Sequence, residues 1–169
     1  MRRLWAVTGS IVFFVLAPGT VAVLAPWLIA RQWPVESLWP DTGWTKLLAV
    51  VLAAAGLAAL AESFARFAIE GSGTPAPVAP TKRLVVSGLY RYLRNPMYVA
   101  VLAVIIGWAV WFGSPPLFGY AALVWLCFTI FVLVYEEPTL RRTFGEEYAI
   151  YSANVGPWIP RLRPWTAPV

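Results

Sequence analysis

From residue 97 to residue 134 the chain carries no charged side chain, and its only polar break is Gly113-Ser114-Pro115-Pro116. A transmembrane helix needs about 20 predominantly apolar residues to cross roughly 30 Å of hydrocarbon. The stretch is too long for one crossing, and Gly followed by Pro marks a tight turn. It therefore predicts a helical hairpin of two short spans, 97–112 and 117–134. Two further segments satisfy the same length rule. One is 7–29, interrupted by Pro18, Gly19 and Pro26, and the other is 44–69. The predicted fold is all-α, a polytopic membrane bundle of about four transmembrane helices forming a single domain over 1–169.

Composition agrees with lipid as the solvent: 60% of residues are hydrophobic and 12% charged, where a soluble domain has about a quarter charged. Ten Trp, seven Tyr and nine Phe suit a protein with rings at the headgroup level. Histidine is absent. The commonest general base and the usual nitrogen ligand for transition metals are therefore excluded. The single cysteine, Cys127, permits neither an intrachain disulfide nor a cysteine metal cluster, and no metal site is expected. Within its apolar run it reads as a small buried hydrophobe.

The net charge of +5 does not require nucleic acid, because the arginines flank the apolar runs and suit anionic lipid. Eleven of the thirteen Lys and Arg lie at the N-terminus, the central loop and the tail, while Arg31 and Lys46 lie on the other side. The positive-inside rule places both termini and the loop in the cytoplasm. The expected setting is a bacterial inner membrane. Arg2 and Arg3 before an apolar stretch also suit a signal peptide, but that stretch is long and its best cleavage site is followed by Pro26, so a retained helix is expected.

The loop over 70–95 opens with Gly71-Ser72-Gly73-Thr74-Pro75-Ala76-Pro77, a flexible turn leading into extended backbone. In the tail over 135–169, Leu140, Phe144, Tyr148 and Tyr151 recur at helical spacing, which predicts an interfacial amphipathic helix. Small residues from Ala53 to Ala61 predict close packing of the second span. Glu62 and Arg66, at i and i+4, read first as a satisfied ion pair.

Two clusters carry the chemistry. The first is Leu84-Val85-Val86-Ser87-Gly88-Leu89-Tyr90-Arg91-Tyr92-Leu93-Arg94-Asn95-Pro96-Met97-Tyr98, at the entrance of the third span. The second is Tyr135-Glu136-Glu137-Pro138 at the exit of the fourth, continuing through Phe144-Gly145-Glu146-Glu147-Tyr148 to Val155-Gly156-Pro157-Trp158-Ile159-Pro160. A hairpin brings both to one membrane face. Taken as a set, these blocks resemble the integral-membrane methyltransferases that include isoprenylcysteine carboxyl methyltransferase and the phospholipid N-methyltransferases. The resemblance covers about half of the chain.

That resemblance implies S-adenosylmethionine as cofactor. It implies cofactor contacts from a strand-like entry of Lys82, Arg83, Leu84 and Val85, from Tyr90, from the block Asn95, Pro96, Met97 and Tyr98, and from Glu136. Glu137 is the second member of the acidic pair, and the two acids are the catalytic candidates. The chemistry is compatible: either acid can hold an ammonium, Lys82 or Arg83 can face a carboxylate, and the tyrosine rings can wall adenine or a sulfonium. Pro96 suits a helix start, where its missing N–H costs little. Arg91 and Arg94 read as lipid-phosphate contacts and Tyr92 as part of the aromatic belt.

The acceptor is less sharply marked. The carboxyl-methylating branch usually has His where this chain has Asn95, and a substrate-contacting Arg where it has Val132. The Asn95 and Glu136 blocks look like the phospholipid branch, whereas the tail from Phe144 to Pro160 looks like the carboxyl branch. The expected partner is a membrane lipid or lipophilic small molecule, with a lipid amine ahead of a prenylated carboxylate. The competing class is a small transport or assembly subunit without catalysis, and it predicts polar groups along the helix interiors, where Glu62 with Arg66 is the only ionisable pair.

Overall fold

The structure is a computed structural model that describes residues 17–33, 35–70 and 83–166. The expected first span begins outside the described residues, as do Lys82 and the turn from Gly71 to Pro77. Among the described residues all regular structure is helical. Helix α1 (Ala25–Gln32) follows a π-helical turn, Thr20–Leu24, and α2 is the long helix Gly43–Ile69. A 3-10 turn, Gly88–Arg91, leads to α3 (Pro96–Phe112) and α4 (Pro115–Phe131). A second π turn, Val132–Glu136, passes into α5 (Glu137–Asn154).

The hairpin follows its sequence signals. Gly113 ends α3 in the left-handed conformation at φ 59°, and its N–H and that of Ser114 reach back toward the last turn. Proline at the first turn of α3 and of α4 occupies positions where no intrahelical N–H bond is lost. The helix does not break after residue 134. It runs on from Pro115 to Asn154, and the non-helical residue inside that length is Gly145, at φ 52° and ψ −121°.

The small residues of α2 let it sit directly on α3. A Cβ added at Gly56 would lie 2.7 Å from the Ala100 carbonyl oxygen, and one at Gly107 would lie 3.0 Å from that of Ala49. Around this contact Leu60, Ala100, Val104, Ile105 and Val124 form the core. Tyr120 of α4 donates to the Val21 carbonyl at 2.9 Å, within the π turn before α1, where wider winding frees carbonyls.

Gly43–Arg66 and the continuous Pro115–Asn154 are long and apolar enough to cross a membrane, and Pro96–Phe112 is a shorter apolar helix. Only 22% of the apolar window in each long helix is buried, whereas a soluble core helix would be mostly covered. Leu47, Leu48, Leu123, Leu126, Leu133 and Val134 are exposed, an apolar surface suited to lipid. Cys127 departs from expectation: it is exposed on α4 rather than buried, because the outer face of this helix has lipid, not protein, to meet.

Candidate functional site

At the entrance of α3, Asn95 occupies the helix N-cap without making a side-chain cap bond. Its side chain is 7% exposed, and its Nδ2 is buried without a hydrogen-bond partner. One turn on, the Tyr98 hydroxyl donates to Glu136 Oε2 at 2.8 Å. Glu136 owes its direction to the π turn that ends on it. An extra residue per turn rotates the downstream side chains by about 100°, so the acidic pair is re-aimed relative to the lipid-facing phase of α4.

The two acids have different partners. Arg94 Nη1 donates to Glu137 Oε1 at 2.7 Å and to the Tyr148 hydroxyl at 3.1 Å, and both ends of the Arg94 and Glu137 pair are largely covered. The expectation that Arg94 binds lipid phosphate is thus corrected, since its charge is matched inside the protein. Its Nε is buried with no partner. Beside the acids, the Tyr98 ring lies 4.6 Å from that of Phe128 and 6.4 Å from that of Trp158.

The tail holds the approach to α3 through backbone bonds. The Arg94 N–H donates to the Gly156 carbonyl, the Arg161 N–H to the Tyr92 carbonyl and the Trp165 N–H to the Arg91 carbonyl, each at 2.9 Å. Tyr151 donates to the buried Tyr90 carbonyl at 2.7 Å. Tyr148, Tyr151 and Val155 form a second apolar cluster, against which Leu84, Leu140 and Phe144 pack. Burial, and then the negative charge of Glu136, push the Tyr90 phenol well above its ordinary range, so it stays neutral at physiological pH.

The structure therefore brings Tyr98 and Glu136 together, with Asn95 and Pro96 at the start of the helix that carries Tyr98. Met97 packs against the main core and Val85 is buried, while Arg83 is exposed to solvent. The stretch from Arg83 to Val86 forms no strand. It is irregular because its apolar side chains dock on α5 instead of on a neighbouring strand. Trp158 and Tyr148 stand within the sequence motifs without a role that the motifs assign, since only the folded tail shows what they touch.

A separate polar ladder lies at the end of α2. Arg66 Nε donates to Glu62 Oε1 and its Nη1 to Glu70 Oε1, both at 2.9 Å. The Ser87 hydroxyl donates to Glu70 Oε2. That hydroxyl, and then the Arg66 guanidinium, hold the Glu70 carboxyl below the ordinary carboxylate range.

Helix pairing brings the acidic pair and the motif at the next helix entrance to one end of the bundle. The family model of phospholipid methyltransferase matches residues 44–147, and the chain belongs to that family. It is 32% identical to a methanethiol S-methyltransferase of Pseudomonas deceptionensis over 162 residues, covering 89% of this chain. The chain spans 59% of the length of that relative. A phosphatidylethanolamine N-methyltransferase of Phaeosphaeria nodorum is 35% identical over 68 residues, covering 40% of this chain and 7% of that protein. An uncharacterized protein of Haemophilus influenzae is 33% identical over 70 residues, covering 37% of this chain and all of that protein. No solved structure matches the chain.

Proposed function

We propose that the chain is a membrane-embedded methyltransferase that uses S-adenosylmethionine and modifies an amphiphilic acceptor entering from the bilayer, with a lipid amine preferred. The observation that carries this reading is the Tyr98 to Glu136 bond at a helix start whose N-cap residue, Asn95, has a buried and unpartnered Nδ2. Buried polar atoms without partners are costly in a finished core, and a ligand that supplies the missing acceptors removes that cost. Membership of the phospholipid methyltransferase family supports it. Both termini are assigned to the cytoplasm on the charge asymmetry of the sequence.

The residues present fit the cofactor. Asn95 Nδ2 and Arg94 Nε are buried donors suited to a carboxylate or ribose oxygen, and Glu136 can accept from an ammonium. Tyr98, Phe128 and Trp158 give ring faces for adenine or a sulfonium. Lys82, Arg83, Leu84, Val85, Tyr90, Pro96 and Met97 remain assigned to the cofactor by resemblance. When bound, S-adenosylmethionine supplies a methyl group already activated on sulfur. The protein's part is then alignment, exclusion of water and placement of charge. Because Arg94 neutralises Glu137, Glu136 is the acid left to hold an ammonium or to take a proton from an amine acceptor.

A thiol acceptor is the second reading, since the relative named as a methanethiol S-methyltransferase aligns with 89% of the chain. A prenylated carboxylate ranks below both, because Val132 is an apolar, buried residue where a guanidinium would be needed. Incubation of the purified chain with labelled S-adenosylmethionine, once with extracted membrane lipids and once with methanethiol, separates these outcomes. Label in an amine lipid is expected. Label only in a volatile thioether replaces the lipid by the thiol, and label in neither, with no binding of S-adenosylhomocysteine, overturns the enzyme reading and favours the transport or assembly subunit.

A further inference from the structure

On α4 the residues Trp125, Phe128 and Val132 recur at helical spacing and share one face. Exposure along that face changes steadily. Val132 is 3% exposed, Phe128 is half-buried and Trp125 is 46% exposed, so the face emerges into lipid as it runs away from Glu136. Trp125 precedes Glu136 by eleven residues, roughly 16 Å at the rise of a helix. Aromatic rings bridge that interval. The Trp125 ring stands edge-on to that of Trp158, with centroids 6.5 Å apart, and Trp158 lies 6.4 Å from Tyr98, whose hydroxyl donates to Glu136.

The backbone of the tail fixes Trp158 in this row. Pro157 and Pro160 restrict the chain on either side, the Gly156 carbonyl accepts from the Arg94 N–H, and the Arg161 N–H donates to the Tyr92 carbonyl. The adjoining Ile159 is 80% exposed, an apolar side chain better suited to lipid than to water. The row therefore starts at a lipid-exposed indole and ends at the acid.

We infer that Trp125 determines which acceptors are used, by holding the apolar part of a long one. The inference rests on the methyltransferase reading, in which the reacting atom lies at the Glu136 end of the row. An alkyl chain attached to that atom reaches Trp125 on its way into the bilayer, whereas a short acceptor stops before it. Contact with the indole stabilises the bound long acceptor and adds nothing to the short one. A contact remote from the reacting atoms, made equally before and during transfer, acts on KM and not on kcat. Nothing in the row depends on whether the reacting atom is nitrogen or sulfur, so amines and thiols should show the same dependence on chain length.

The test supplies the full chain in detergent micelles with labelled S-adenosylmethionine and two matched pairs of acceptors, butylamine with hexadecylamine and methanethiol with hexadecanethiol. S-adenosylhomocysteine titration and thermal unfolding accompany every variant. Wild type is expected to favour the long member of the pair it uses. Trp125→Ala is expected to lower the long-to-short ratio of kcat/KM by about tenfold, through KM, with S-adenosylhomocysteine affinity equal to wild type. Trp125→Phe restores most of the ratio, and Leu123→Ala, exposed on the opposite face of α4, keeps it whole. Where Trp125→Ala unfolds, Trp125→Leu reads the same ratio with a smaller fall. An unchanged ratio overturns the inference, as does use of the short members alone. A loss shared by both members and by cofactor affinity also overturns it, because the indole would then only hold Trp158 in place. Label in no acceptor while S-adenosylhomocysteine still binds rejects the inference and leaves the cofactor site standing, whereas label in none without such binding rejects the methyltransferase reading and the inference with it.

Discussion

The Tyr98 hydroxyl donates to Glu136 Oε2 at 2.8 Å, tying the first turn of α3 to the π turn that closes α4. This single bond fixes the acid that the proposed donor site depends on, and its removal leaves both helices otherwise intact. Tyr98→Phe keeps the ring against Phe128 and deletes only the hydroxyl. A hydrogen bond to a charged group is worth about 1.5–3 kcal/mol, so S-adenosylhomocysteine affinity is expected to fall by roughly 10- to 100-fold. Glu136→Gln should cost more, because it also removes the charge. Calorimetric titration checks both, and unchanged affinity in Tyr98→Phe removes this bond from the site.

The Arg94 and Glu137 pair calls for a double-mutant cycle. Their side chains are 12% and 16% exposed, so removing either partner leaves a covered charge unmatched. Such single changes typically cost about 3–5 kcal/mol, whereas replacing both partners can be close to neutral. Arg94→Gln alone is expected to lower the melting temperature sharply, and Arg94→Gln with Glu137→Gln to recover much of the loss. Additive losses would mean that the pair is not coupled.

How much of the molecule is legible in its sequence differs between helices and tail. The hairpin is readable because Gly113 and the two prolines act through local backbone geometry. The acidic pair and Asn95 can be located by motif, but their partners cannot. Arg94 reads as facing lipid because its match, Glu137, is 43 positions away and reaches it only through the return of α4. Likewise nothing local marks the π turn at Val132–Glu136, and a regular α continuation would aim the acids elsewhere. Gly88 stands inside the first motif, yet its role is visible only beside Glu62.

Acid should act on the α2 ladder through Glu70. Its folded pKa lies below the ordinary value of 4.5, so the group contributes stability that is fully present above that value. The contribution is lost as pH falls from about 4.5 through the lower folded pKa. Wild type is therefore expected to lose thermal stability over this acidic window, and Glu70→Gln to show a flatter acid limb. Ser87→Ala should move the loss toward higher pH, because the Ser87 hydroxyl is the largest cause of the depression. Melting curves from neutral pH into that window check this, and identical acid limbs for all three proteins would rule Glu70 out.

Gly56 and Gly119 make a matched pair for the packing of the bundle. Both lie inside helices, so replacement by Ala improves helix propensity by about 1 kcal/mol in an exposed position. At Gly119 nothing lies within 4 Å of an added Cβ, and Gly119→Ala is expected to be neutral or mildly stabilising. At Gly56 the same methyl would meet the Ala100 carbonyl oxygen at 2.7 Å and Val104 Cγ2 at 2.8 Å. Backbone cannot move aside as a flexible side chain can, so α2 and α3 must separate, at an overpacking cost of about 1–3 kcal/mol. Melting temperatures of the two variants in the same detergent should therefore move in opposite directions or differ clearly.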